Sequence, residues 1–364
     1  MSAIIIDDPQ LDAKQTIPRR YDWIDGLRAV CALTVVLQHF RGPSFGLGYY
    51  AVIVFMVISG FCLMIPVAKT DNLAGGYLGF MGRRARRILP PYYAALALCV
   101  AVDLWTGLLG GDMHKFVRDI EGHVLIVHDL NIPNWPMTIA SICSPMWSIA
   151  LEWHVYFMFP IYAWLFRKCG AVKSTAFILL GWYAVDQWNN YVPFGLTRVS
   201  FYWFFALGML ASFTVFSKSR ESERLRSLRW GMITLAMLGV ASYCIISKAD
   251  SSMPDFFHDG AVALFACALM TWLALNETRL KSILSTPILA WVGSWSYSLY
   301  LVHYVFLAIQ LHFFPHIPPP YFIPAALVLG YLFHLVFERP FMKRQKRVLS
   351  KSPPAELPGM ASST

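Results

Sequence analysis

Arg28 and His39 stand eleven residues apart in the apolar run IDGLRAVCALTVVLQHF. On a helix that is about three turns, so both side chains leave one face, ~16 Å apart along the axis. An imidazole titrates near neutral pH and can serve as a general base or a nucleophile. A guanidinium binds anions through paired hydrogen bonds. The plainer roles are a histidine held by a neighbour and an arginine whose stem lies along apolar surface. Spacing alone leaves the two readings level. A second basic feature is GRRARRILPPYY, residues 82–93. Arg84 and Arg87 are three apart and share a helix face, with Arg83 beside them. Guanidinium groups so placed suit a phosphate-bearing ligand, although a basic loop can equally serve topology alone.

Two further segments carry polar groups in apolar surroundings. In MWSIALEWHVYFMFP, residues 146–160, Glu152 falls about two turns into the run, where a carboxylate needs a partner or a wet cavity. At a depth comparable to His39, it is expected to pair with that imidazole and fix its tautomer, as the carboxylate of a catalytic triad does. The alternative is a structural pairing with a Tyr or Trp of another helix. His154 faces elsewhere. In VISGF (57–61), Ser59 and Gly60 suit close helix approach. In SWSYSLYLVH (294–303), His303 offers a second polar wall or plain packing. His114, His123 and His128 have poor spacing for a metal on a helix, and no metal is expected.

The elements that must position these groups follow from composition. The chain has 364 residues, 57% apolar and 14% charged, with mean hydropathy +0.51. Globular proteins average about 45–50% and about 25%. This balance excludes a cytosolic enzyme, a disulfide-stapled secreted domain and a disordered chain, and predicts an all-α polytopic membrane bundle. Runs long enough to cross lipid fall at 24–41, 47–66, 88–109, 146–166, 172–190, 197–216, 230–247, 257–276, 288–312 and 319–338, ten in all. Segment 117–130 is too short and charged to span and is expected to lie at the interface or re-enter it. Residues 1–20 are polar with no cleavable leader, so the first run is expected to act as a signal-anchor. The membrane domain is expected over 21–345, and the Pro/Ser-rich stretch 346–364 as a disordered tail.

Ten spans place both termini on one side. The loops on that side hold 24 of the 30 Lys and Arg residues. The opposite side holds Arg41, Lys115, Arg118, Arg198 and Lys248, and Arg28 lies within the first run. This asymmetry predicts cytoplasmic termini and a multi-pass protein of the inner or plasma membrane. It also accounts for the net charge of +9 without nucleic acid as a partner. No CxxC pair occurs among the seven cysteines, and Cys31, Cys62, Cys99, Cys244 and Cys267 lie in apolar runs as small packing residues.

DGLRAxxALxVVxxH, VISGF, RRxxRIxPxY, WSxxxExxxY followed by Pro160, SYSLYLxH and FERP occur here in this order. Together they resemble the acyltransferase-3 family over about residues 20–345. The resemblance implies a ten-span membrane enzyme that O-acylates an envelope or secreted carbohydrate or glycolipid: exopolysaccharide, lipopolysaccharide, nodulation factor or macrolide. It implies a cytoplasmic acyl-CoA, most often acetyl-CoA, as donor, with no metal. Arg28, His39 and Glu152 match the family's catalytic positions; Arg84 and Arg87, with Arg83, match its paired-arginine motif. Trp153-His154 departs from the pattern of many members. An appended esterase-like domain found in some members is not expected.

On that implication the arginines meet the nucleotide end of CoA, lipids and apolar side chains surround its arm, and the thioester reaches His39, acting as base or nucleophile. The competing class is a transporter or flippase of a glycan or lipid intermediate, which also carries ionisable residues in its spans. No paired half-repeat supports it. Trp135, Trp188, Tyr191 and Tyr202 suit sugar stacking or interface anchoring equally.

Overall fold

The computed structural model describes residues 21–41, 46–107, 113–131, 142–189, 191, 195–196, 198–247 and 255–342. The polar N-terminal segment, the Pro/Ser-rich tail and Trp135 lie outside them. Fourteen α-helices follow one another among the described residues: α1 (Asp22–Arg41), α2 (Leu47–Thr70), α3 (Gly76–Thr106), α4 (Met113–Leu125), α5 (Trp147–Cys169), α6 (Ala171–Asn189), α7 (Ser200–Phe216), α8 (Arg220–Arg226), α9 (Trp230–Ser247), α10 (Asp255–Leu275), α11 (Arg279–Leu284), α12 (Pro287–Ser294), α13 (Ser296–Phe313) and α14 (Ile323–Phe333). A π turn, His334–Glu338, continues α14. The one sheet element described is a two-residue antiparallel pairing of Leu130 with Leu196 and Asn131 with Gly195.

A helix occupies each of the ten expected runs, but they are not equally apolar. Among the described residues six are long and apolar enough to span: α2, α3, α5, α9, α10 and the run Pro319–Phe341. Two bent pairs, α7 with α8 (95°) and α12 with α13 (69°), raise this to eight if each is one span. The shortfall against ten comes from α1 and α6. Helix α1 carries Asp22, Asp25, Arg28 and Arg41, and α6 carries Lys173 and Asp186. These charges are what dilute the apolar signal of α1 and α6. Segment 117–130 folds mostly as α4, tied to α3 where the Tyr92 and Tyr93 hydroxyls donate to the His123 and Val124 carbonyls at 2.8 and 2.9 Å.

Helix α2 is the buried axis of the bundle. Seventeen of its 24 residues are buried, including an unbroken stretch from Phe55 to Ile65. Helix α7 lies directly on it, and glycine sets the approach: a Cβ on Gly60 would sit 2.0 Å from the Phe205 carbonyl oxygen, and one on Gly208 would sit 1.9 Å from that of Val57. Neither backbone can yield without parting the helices, so small residues here serve van der Waals contact between α2 and α7. Gly208→Ala is therefore expected to destabilise the fold by ~1–3 kcal/mol or more. A thermal melt of detergent-solubilised protein checks this; an unchanged midpoint refutes the contact.

Candidate active site

Five helices, α1, α2, α3, α5 and α13, carry the polar side chains of the site. The ruler is α2, on which Tyr49, Val52, Met56, Ser59 and Cys62 follow at intervals of three or four and so share a face. From Tyr49 to Cys62 the rise is ~20 Å.

At the Cys62 end lies Arg28. Its Nη1 donates to Asp25 Oδ1 at 3.0 Å and its Nη2 to Cys62 Sγ at 3.3 Å, all three residues being buried. Asp25 sits one turn back on α1, where the i,i+3 spacing brings carboxylate and guanidinium together. Cys62 is buried as expected but also accepts a hydrogen bond. With Tyr21 and Ile24, these residues line a small pocket. Arg87 lies within electrostatic range of Arg28, Glu152 and Glu338. Arg84 lies within range of Arg87, Glu152 and Tyr156, with its guanidinium 5.8 Å from the Phe80 ring centre. The structure thus gathers Arg28, Arg84 and Arg87. Arg83 acts electrostatically on Arg84 and, through Nη2, also donates to the Ala74 carbonyl at 2.5 Å, bracing the turn before α3.

Glu152 belongs to this end. Its Oε1 accepts from Ser59 Oγ at 2.6 Å and from Tyr156 OH at 2.5 Å. Ser59 stands three residues from Cys62, and Glu152 acts electrostatically on Arg28, Arg84 and Arg87. Among the described contacts none joins Glu152 to His39, so the expected pairing is not made. The reason is depth: Glu152 is level with Ser59, whereas Gly48 N donates to Gln38 Oε1, placing the His39 level near the start of α2. Ser59 also takes a polar role beside the packing expected of its neighbour Gly60.

The partner of His39 is His303. His303 Nε2 and His39 Nδ1 are 2.8 Å apart. His303 Nδ1 faces two carbonyl oxygens of its own helix, Leu299 at 3.2 Å and Tyr300 at 2.9 Å. Those acceptors require the proton on His303 Nδ1, which leaves Nε2 as a lone-pair acceptor. His39 Nδ1 must then donate, and His39 Nε2 keeps its lone pair. His303 is fully buried and His39 half-buried, so the outer imidazole is the accessible one. The Tyr304 ring meets His39 edge-on at 5.7 Å.

Between the two ends a small cavity is lined by Val52, Met56, Ser148, Glu152, Tyr297 and Tyr300, among others. Tyr300 reaches toward both neighbours: its hydroxyl is 2.6 Å from Ser148 Oγ, and its ring is 5.9 Å from that of His303. On α2, Met56 lines this cavity, Cys62 lines the smaller one, and Ser59 with its Glu152 contact stands between them.

Other expected groups sit away from this line. His154 Nδ1 lies 3.3 Å from Asp129 Oδ2. The His123 and His128 rings stack at 3.9 Å and 6°. Burial first, and the neighbouring His123 second, hold the His128 ring neutral, with its pKa lowered to about 3. Among the described residues no three His, Cys, Asp or Glu side chains are grouped to hold a metal. Tyr202 is buried and stacked on Trp182 at 4.2 Å, while Trp188 and Tyr191 are exposed.

The features missed in the sequence are Asp25, the acceptor role of Cys62 and the pairing of His303. For His303 a signal existed, a histidine closing an apolar helix rich in Ser and Tyr. Its partner is 264 residues away, which no local pattern reveals.

Comparison with known proteins fits this geometry. Residues 21–339 match the Acyl_transf_3 family, described as an acyltransferase domain. A protein of Staphylococcus aureus (strain COL) named "Putative O-acetyltransferase" is 22% identical, the match covering 91% of this chain and 58% of that one. The peptidoglycan O-acetyltransferase OatA of Listeria monocytogenes is 24% identical, over 77% of this chain and 48% of that one. The chain thus spans about half the length of the curated relatives it matches. No solved structure matches it. By the extent of the family match, this chain belongs to the acyltransferase-3 family.

Proposed function

We propose that this chain transfers an acyl group, acetyl in the first instance, from acyl-CoA to a hydroxyl of an envelope carbohydrate. The carrying observation is the paired imidazoles, which leave His39 Nε2 free at one end of a line whose other end gathers Arg28, Arg84 and Arg87. Peptidoglycan is the acceptor named for OatA, which supports an envelope glycan as the acceptor class here.

In this reading the anionic end of CoA meets the arginines. Its arm follows the cavities, parting the Ser59–Glu152–Tyr156 layer between them. The acceptor hydroxyl presents its proton to His39 Nε2 as its oxygen attacks the thioester carbonyl; the proton then leaves with the CoA thiolate as thiol. A covalent variant has Nε2 attack first, breaking the C–S bond and expelling CoA as thiolate; the acceptor oxygen then takes the acyl group from the acyl-imidazole, its proton passing to the CoA thiolate and the neutral imidazole being regenerated. Glu152, bound by two hydroxyls and facing three arginines, tunes the donor end. The ten-span count, cytoplasmic termini and plasma-membrane location belong to the same reading and follow from the basic-residue asymmetry.

The test is turnover of radiolabelled acetyl-CoA by purified protein given oligosaccharide acceptors, with CoA release as readout. Wild type is expected to release CoA in an acceptor-dependent way. Arg84→Ala and Arg87→Ala are each expected to raise KM for acetyl-CoA by about 10–100-fold, as loss of one charge-assisted hydrogen bond would. No acceptor-dependent release by folded wild type refutes the proposal.

A further inference from the structure

The end of the family match contains a carboxylate that the line above does not use. Glu338 is fully buried on the π turn after α14. Its Oε2 accepts from Ser298 Oγ of α13 at 2.6 Å and lies 2.8 Å from His334 Nδ1, one turn back. Ser298 is fully buried and His334 nearly so. Both contacts fall on one oxygen, and both come from side chains that packing holds still. A buried carboxylate also needs positive charge, because an uncompensated one costs several kcal/mol. His334 supplies that charge when protonated, and Arg87 of α3 lies within electrostatic range of the same carboxylate.

The backbone brings these groups together. Tyr297 OH donates to the Ile88 carbonyl at 3.1 Å, fastening α13 onto α3 one residue after Arg87. Neighbouring Ser298 therefore presents Glu338 where α3 passes. The π turn adds a residue to the helical repeat and re-aims the side chain that follows, a device common at functional sites. Arg87 in turn faces Arg28 and Glu152, so it occupies the middle of the charged end.

We infer that Glu338 is a positioning residue for donor binding: locked by Ser298 and His334, its carboxylate holds Arg87 toward the anionic end of acyl-CoA. This rests on the acyl-transfer reading. The opposing possibility is that Glu338 merely competes with the donor for Arg87, and it predicts the opposite sign. The probe is CoA itself, titrated calorimetrically into purified protein, alongside acetyl-CoA turnover and a melt of each variant.

Glu338→Gln is expected to weaken CoA binding about tenfold and raise donor KM equally, with kcat within about twofold, the scale of a coupled charged pair. Glu338→Asp should recover part of the loss. In an Arg87→Ala background, Glu338→Gln should cost nothing further. Ser298→Ala, which leaves both charges in place, should weaken binding several-fold and decides the matter if Glu338→Gln does not fold. Unchanged or tighter CoA binding in the folded variants overturns the inference, as does additivity with Arg87→Ala. Wild type that binds no CoA overturns both readings. Wild type that binds CoA without turning over acetyl-CoA fails the transfer reading alone, and the binding comparison still decides this one.

Discussion

His39→Ala is expected to lower acceptor-dependent CoA release by about 10²–10⁴-fold, the usual contribution of a positioned base, while CoA binding stays within about twofold. The separation follows from distance. His39 stands ~16 Å along α1 from Arg28, so truncating the imidazole leaves the arginine end intact. A half-buried imidazole can also be lost without opening a large hole, and a melt should show a midpoint close to wild type. Direct base and acyl carrier are separated by quenching with labelled acetyl-CoA and no acceptor. Label retained on wild type and absent from His39→Ala marks the covalent route. Transfer that survives His39→Ala removes this residue from the chemistry.

The second large effect is expected at His303, which touches neither donor nor acceptor in this scheme. His303→Ala is expected to reduce kcat by about a hundredfold or more with donor KM unchanged, because the His39 ring is then held only by the Val35 carbonyl of its own helix. The geometry makes the substitution informative. His303 Nδ1 is bound to the carbonyls of Leu299 and Tyr300, so its Nε2 can only accept. His303→Gln is expected to keep more activity than His303→Ala, since an amide oxygen can take the Nδ1 proton of His39. A His303→Ala protein that folds and turns over at the wild-type rate would show the pairing to be packing alone.

Much of this arrangement was legible in the residues, and the failures are specific. Ten apolar runs became ten helical segments because long apolar stretches in lipid must satisfy their backbone internally. Arg28 and His39 were placed on one face by helical period alone. The expected depth of Glu152 fails by a turn or more: Trp147 at the start of α5 stacks on Tyr49 at the start of α2, so the two helices begin level, and Glu152 lies five residues, ~7.5 Å, further in, beside Ser59. Arg83 is one residue, or 100° of helix, from Arg84, and its contact with the Ala74 carbonyl is not readable from the motif. His303 and Glu338 were visible as residue types within motifs. Their partners lie on distant helices, and only the fold supplies them.

The fixed interval along α1 between guanidinium and imidazole has one more implication. On the proposed acyl transfer it would work as a gauge for the activated carrier. A donor with its acyl group on a long flexible tether would touch both extremities at once, whereas a compact mixed anhydride such as acetyl phosphate would satisfy only one. Selectivity against small reactive metabolites would then need no dedicated filter, because tether length alone performs the sorting.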